Sequence, residues 1–173
     1  MAERTGFEPA ITFPLYTLSK RAPSTTRPPL RTRTILSVIL VLMNEPSIFT
    51  KIINGEIPCH RIYEDELTFA FLDIHPRSPG HTLIVPKKQI EFVWDLDDAT
   101  YTAVMHSAKL VAERIREVIQ LAYVGEQVIG MDVPHAHVQV FGFETAEDYF
   151  KQIDMTNEPD HKALAAIAER LRF

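Results

Sequence analysis

From Asp97 to Ile119 the apolar residues Tyr101, Val104, Met105, Ala108, Val111, Ile115, Val118 and Ile119 recur at steps of three and four. That spacing lays one apolar stripe along a helix of about six turns. A helix of this kind is stable only against a partner surface. The rest of the chain offers that surface in short pieces. "HRIYED" (60–65), "LTFAFLDI" (67–74), "HTLIVPKK" (81–88), "LAYVGEQVIG" (121–130) and "PHAHVQVFGF" (134–143) are rich in β-branched and aromatic residues, and acidic or Pro/Gly turns separate several of them. Short strands with one long helix inserted predict an α+β fold: an antiparallel sheet of about five strands with short helices near the termini.

Those terminal helices are legible too. "PSIFTKIINGEIP" starts at Ser47 and stops at Asn54-Gly55. The segment 159–172 follows Pro159 and puts Leu164, Ile167, Ala168 and Leu171 on one face. Asp97 is placed to cap the long helix by accepting bonds from its first free amides.

Residues 1–42 do not share this patterning. The first 34 residues carry five of the twelve prolines and no period. The apolar run 35–43 is shorter than the roughly 20 residues needed to cross a bilayer. It also lacks the small-x-small site of a cleaved signal peptide. Gly6-Phe7-Glu8-Pro9 is what the T-arm of a transfer-RNA gene encodes in one frame. The segment is therefore read as a disordered or spurious extension, with Met43 the true start and 43–173 a single domain.

Charge divides at the same place. Residues 1–42 hold six Lys/Arg against two Glu, +4, whereas the remainder holds 12 against 21 acidic residues, −9. An acidic body argues against general nucleic-acid binding. A single cysteine, Cys59, excludes an internal disulfide and suggests a reducing, cytoplasmic setting. No membrane partner and no cofactor are expected.

"VPHAHVQVFG" (133–142) concentrates the chemistry. On a strand, His135, His137 and Gln139 share one face while Ala136, Val138 and Val140 share the other. A phosphorus atom touching all three sits over the middle one, which makes His137 the natural nucleophile. A neutral imidazole is available near neutral pH, and its attack divides one displacement into two easier ones. The opposite ring nitrogen then needs a fixed acceptor for its proton. By themselves, two histidines in H-x-H also fit a hydrogen-bonded pair or part of a zinc site, with His60, His75, His81 and His106 as further ligands.

"IFTKIINGEIPCHRIYEDELTFAFLDIHPRSPGHTLIVPKK" followed by "VPHAHVQVFG" resembles the histidine triad (HIT) family of nucleotide hydrolases and transferases, over about residues 46–143. The resemblance implies a HIT-like domain whose sheets join in a homodimer, acting on the α-phosphate of a nucleotide through a covalent nucleotidyl-histidine. By position, His137 resembles the nucleophile, His135 its upstream partner and His81 the fourth histidine that orients the site. Asp73 resembles the carboxylate that accepts from the ribose hydroxyls. Phe49, Ile52, Phe71 and Ile74 resemble the walls around the base, although plain core packing would use the same residue types. Gly130 would let backbone amides approach phosphate.

The departures carry expectations of their own. Where many members hold zinc ligands, this chain has Ser47, Thr50 and Gln89, so no metal is expected. The family's phosphate-loop hydroxyl is replaced by Asp132, whose side chain should turn away. Gln139 stands where a third histidine is usual; it can donate an N–H but has no titratable proton. That favours polyphosphate leaving groups, as in dinucleoside polyphosphates, over alkylamines among nucleoside phosphoramidates. The same substitution also supports an alternative, a catalytically weak nucleotide-binding or scaffolding dimer.

Overall fold

The computed structural model describes residues 45–150, 153 and 155–173. The expected extension 1–42 and the start at Met43 lie outside the described residues. Helix α1 spans Ile48–Ile53. Strands β1 (Arg61–Glu64), β2 (Thr68–Leu72) and β3 (Thr82–Pro86) follow. After a single 3-10 turn at Val93–Asp95 comes α2, Asp98–Ile119. Strands β4 (Tyr123–Gln127) and β5 (Val138–Phe143), then α3 (Ala146–Phe150) and α4 (His161–Leu171), complete the order.

The caps explain the helix boundaries. Ser47 Oγ accepts from the Thr50 amide at the head of α1. Asp97 accepts from the Thr100 amide at 2.9 Å and from its hydroxyl at 3.0 Å at the head of α2. Each satisfies amides that have no partner within the helix. Helix α2 ends on Gln120, which adopts the left-handed conformation at φ 62°.

The sheet runs β1-β2-β3-β5-β4 with every neighbouring pair antiparallel. The chain makes a three-stranded meander, crosses through α2, adds the outer strand β4, and returns to place β5 in the gap. The α+β antiparallel architecture expected from the sequence is the one observed.

Alternation divides the sheet's two faces. Ile62, Ala70, Leu72, Ile84, Val138 and Val140 face α2 and α4, meeting Val104, Ala108, Val111, Ile115, Leu164 and Leu171 in the main core. On the opposite face Phe69, Phe71, Leu83 and Val85 form a smaller cluster covered by Phe49 of α1. Among the described residues no helix is long and apolar enough to cross a membrane.

The histidine segment departs from the expected strand 134–143. β5 begins only at Val138. Pro134 has no amide to offer, the His135 amide turns back to Val133 O, and the Ala136 amide bonds Ile90 O beyond the end of β3. Alternation nonetheless persists: Ala136 joins the helix-side core, while both His135 and His137 contact Phe49 on the other side. Helix α3 and the 3-10 turn have no counterpart in the sequence expectations.

Candidate active site

The site grows from the register of the central strands. Phe71 pairs with Leu83, Leu83 with Gln139, and Gln139 with Gln127, a single row across β2, β3, β5 and β4. Paired residues in a sheet project to the same face, so this row forms a floor running from aromatic to amide. Immediately before β5, His137 stands beside Phe49, the ring centroids 5.4 Å apart and the planes at 79°.

His137 Nδ1 lies 2.9 Å from the main-chain oxygen of His135. A carbonyl oxygen can only accept, so Nδ1 carries the proton and Nε2 the lone pair. No hydrogen bond from Nε2 is formed among the described residues, and the residue keeps 6 % of its surface open to solvent. The fixed acceptor that a nucleophilic imidazole requires is thus the backbone of its neighbour.

His135 is arranged differently. Its ring is fully buried, with Nε2 2.8 Å from Pro86 O and Nδ1 2.8 Å from Ser47 Oγ. The carbonyl fixes the proton on Nε2, so Nδ1 accepts from the Ser47 hydroxyl. Burial pushes this imidazole's pKa below the ordinary histidine value; the bond to Pro86 O opposes the shift and nearby His137 adds to it. Both ring nitrogens being engaged, the group His135 presents to its neighbour is its carbonyl.

His81 is also fully buried, in edge contact with Phe141. Its Nδ1 receives the Arg77 amide at 3.2 Å and lies 3.6 Å from Asp73 Oδ2. Its Nε2 is sealed from solvent without a partner at hydrogen-bond geometry. Burial lowers its pKa, whereas the Asp73 carboxylate and the Gln139 side chain favour the charged form and nearby Arg77 disfavours it. Asp73 follows β2: its amide bonds His81 O, and its Oδ1 accepts the His75 amide at 2.9 Å.

Of the apolar residues singled out from sequence, Phe49 and Phe71 meet edge to face at 5.6 Å and Ile52 packs on their cluster. Ile74 is not part of that cluster. It is 45 % exposed and lines a cavity of about 420 Å³ with His75, Arg77 and residues of the C-terminal segment. Gly130 has φ +69°, a conformation that disfavours any side chain, and Asp132 is exposed.

Ser47, Thr50 and Gln89 do converge on His135, but as a network of hydrogen bonds. Gln89 Oε1 accepts the Thr50 hydroxyl at 2.6 Å and the Ser47 amide at 2.8 Å. Zinc is held by thiolate, imidazole or carboxylate, and neutral hydroxyls and an amide bonded to one another do not fit it. No group of three or more His, Cys, Asp or Glu able to hold a metal exists among the described residues.

Sequence reasoning missed three participants. Gln127 was hidden because its place opposite Gln139 depends on a register that no local pattern encodes. Arg77 donates to Tyr149 O at 2.6 Å and stacks over Phe141, joining the His81 loop to α3. The Pro86 carbonyl gave no signal, being backbone.

Comparison with known proteins agrees with this architecture. A family model described as HIT domain matches residues 54–145. Protein hit of Bacillus subtilis is 36 % identical over 124 residues, covering 68 % of this chain and 85 % of that protein. The purine nucleoside phosphoramidase of Escherichia coli is 36 % identical over 107 residues, covering 58 % and 89 %. The crystal structure of a Hit-like protein from Bartonella henselae superposes with a TM-score of 0.65 at 27 % identity, covering 73 % of this chain and 93 % of that one. Sheet order, histidine segment and these matches converge: the chain belongs to the HIT, or histidine triad, family.

Proposed function

We propose that residues 43–173 form a nucleotidyl hydrolase or transferase that attacks the α-phosphate of a nucleotide through His137. The observation that carries this reading is the bond from His137 Nδ1–H to His135 O, which leaves the Nε2 lone pair as the reactive atom. Nε2 forms a bond to phosphorus while the bond from phosphorus to the leaving group breaks, its electron pair departing with that group. Water, which gives up a proton to solvent, or a phosphate oxygen then bonds phosphorus, the P–N bond breaks, and its electron pair returns to Nε2.

The remaining residues take roles that suit their chemistry. The Gln139 amide donates to a phosphate oxygen, and His81 orients that amide from beneath. Backbone amides at Gly130 approach the phosphate. Asp73 accepts from the ribose hydroxyls; each carboxylate oxygen has lone-pair capacity beyond its present contact. Phe49, Ile52 and Phe71 wall the base, and Ile74, outside their cluster, takes no part in that wall. The E. coli relative's name supports a nucleoside phosphoramidate as one substrate class, and Gln139 favours dinucleoside polyphosphates as another. The working form is a cytoplasmic homodimer whose sheets join, with no metal or other cofactor.

Intact-mass detection tests the covalent step. Wild type mixed with substrate gains one nucleotidyl group, and His137→Ala gains none and loses turnover by at least about 10³-fold. Gln139 favours a second reading, a nucleotide-binding dimer without turnover. Nucleotide binding with neither adduct nor product from any substrate class would establish that reading instead.

A further inference from the structure

We infer that Ser47 is a positioning residue whose hydroxyl anchors the buried His135 ring against Pro86 O and so holds in place the His135 carbonyl that accepts from His137 Nδ1–H. The inference rests on the reading of His137 as nucleophile. It starts from donor accounting in the network around His135.

His135 is fully buried with its proton committed to Pro86 O, so Nδ1 is a buried lone pair that needs a donor. Two hydroxyls are within reach, Ser47 Oγ at 2.8 Å and Thr50 Oγ1 at 3.3 Å. Thr50 has one proton, and it goes to Gln89 Oε1 at 2.6 Å. The orientation of the Gln89 amide follows, because Oε1 also takes the Ser47 amide while Nε2 donates to Glu45 O. Ser47 Oγ accepts the Thr50 amide, and its own proton has two acceptors within reach, Thr50 Oγ1 at 3.1 Å and His135 Nδ1 at 2.8 Å; the shorter contact, to the buried ring nitrogen that has no other donor, takes it. The other directions are set by groups that can only donate or only accept, and Ser47 emerges as the donor to Nδ1.

Without that donor the ring loses the contact that holds it against Pro86 O. His135 Nδ1 would then be a buried lone pair with no donor, while Nε2–H stays directed at Pro86 O. The ring would shift toward another donor, and the His135 backbone, joined to it through Cβ and Cα, would carry its carbonyl along. That carbonyl is what keeps the proton on His137 Nδ1. Ser47 is also the N-cap of α1, the helix that carries Phe49 and Ile52. One hydroxyl therefore ties the helix at the base pocket to the strand of the nucleophile.

Ser47→Gly separates capping from donation, since glycine is tolerated at an N-cap nearly as well as serine. Ser47→Thr keeps both functions. In ¹⁵N-histidine spectra of the full chain without substrate, wild type shows His135 as the Nε2–H form and His137 as the Nδ1–H form. Ser47→Gly turns His137 into a mixture of tautomers, and Ser47→Thr restores the single form. With substrate, Ser47→Gly lowers kcat about tenfold, the worth of one hydrogen bond, with KM within about twofold. Ser47→Gly combined with Gln89→Leu frees the Thr50 proton for His135 and recovers part of kcat.

A lower melting temperature in Ser47→Gly with both tautomers and kcat unchanged would make Ser47 merely structural and overturn the proposal. If wild type turns over no nucleotide, the proposed function falls, while the histidine spectra still decide this inference. Should Ser47→Gly fail to fold, Ser47→Asp, which keeps the N-cap acceptor but has no proton to donate, takes its place in both measurements.

Discussion

Phe49 lies edge-on to Phe71 at 5.6 Å and edge-on to His137 at 5.4 Å, so one ring joins the small aromatic cluster to the histidine segment. Edge-to-face pairs add about 0.5–1.5 kcal/mol beyond their buried area. Phe49→Ala is expected to cost about 3 kcal/mol, the lower end for a buried phenylalanine, because the cluster lies under a single short helix. Urea unfolding measures it. Phe49→Leu should keep most of the stability yet weaken nucleotide binding, read by calorimetric titration; unchanged affinity would remove Phe49 from the base pocket.

Gln139 sets the leaving-group preference. Gln139→His supplies a proton donor at the same place in the row opposite Leu83 and Gln127. Turnover of an adenosine phosphoramidate with an alkylamine leaving group should rise about 10²-fold, the lower range for general acid help. Turnover of a dinucleoside polyphosphate should change far less. Equal gains on the two substrates, or a wild-type enzyme that prefers the alkylamide, would refute the assignment.

Stability should fall on acidification because of His81 and His135. Burial lowers both imidazole pKa values in the folded protein. In the unfolded chain each titrates near 6.5. As pH drops through that value the unfolded state binds protons and the folded state does not, so stability is lost until the depressed folded values are reached. The urea midpoint at pH 5.5 is expected below that at pH 7.5. His81→Asn should flatten this dependence; an unchanged slope would assign the protons elsewhere.

Gln120 ends α2 in a left-handed conformation that glycine adopts without steric cost. Gln120→Gly is expected to stabilise by about 1 kcal/mol, the cost of a β-carbon in that region. A urea midpoint that rises without a change in slope would bear this out, and a fall would indicate that the side chain contributes more than its backbone strain removes.

The long helix and its Asp97 cap were legible because both depend on residues within a few positions of one another. The same holds for Ser47 at the head of α1 and for the alternation that sends Val138 and Val140 one way and His137 the other. What could not be read depends on distant backbone. Placing β5 between β3 and β4 requires the whole crossover, and the pairing of Gln127 with Gln139 follows only from it. The early end of the ladder at Val138 arises because the Ala136 amide is taken by Ile90 O, a contact 46 positions away. Ser47, Thr50 and Gln89 were noted as replacements for metal ligands, yet their closure into a directed network with His135 needed three dimensions.

The two faces of the sheet carry very unequal amounts of apolar packing. The helix-side core gathers buried residues from every strand but β4 and from both long helices, whereas the site side holds four buried strand residues beneath Phe49 of the six-residue α1. Local opening follows the density of buried contacts. Amides of α1 should therefore exchange with deuterium well before those of α2, and saturating nucleotide should slow the first set and leave the second alone. The binding wall would then be the least durable part of the fold when empty, and would gain its rigidity from the molecule it holds.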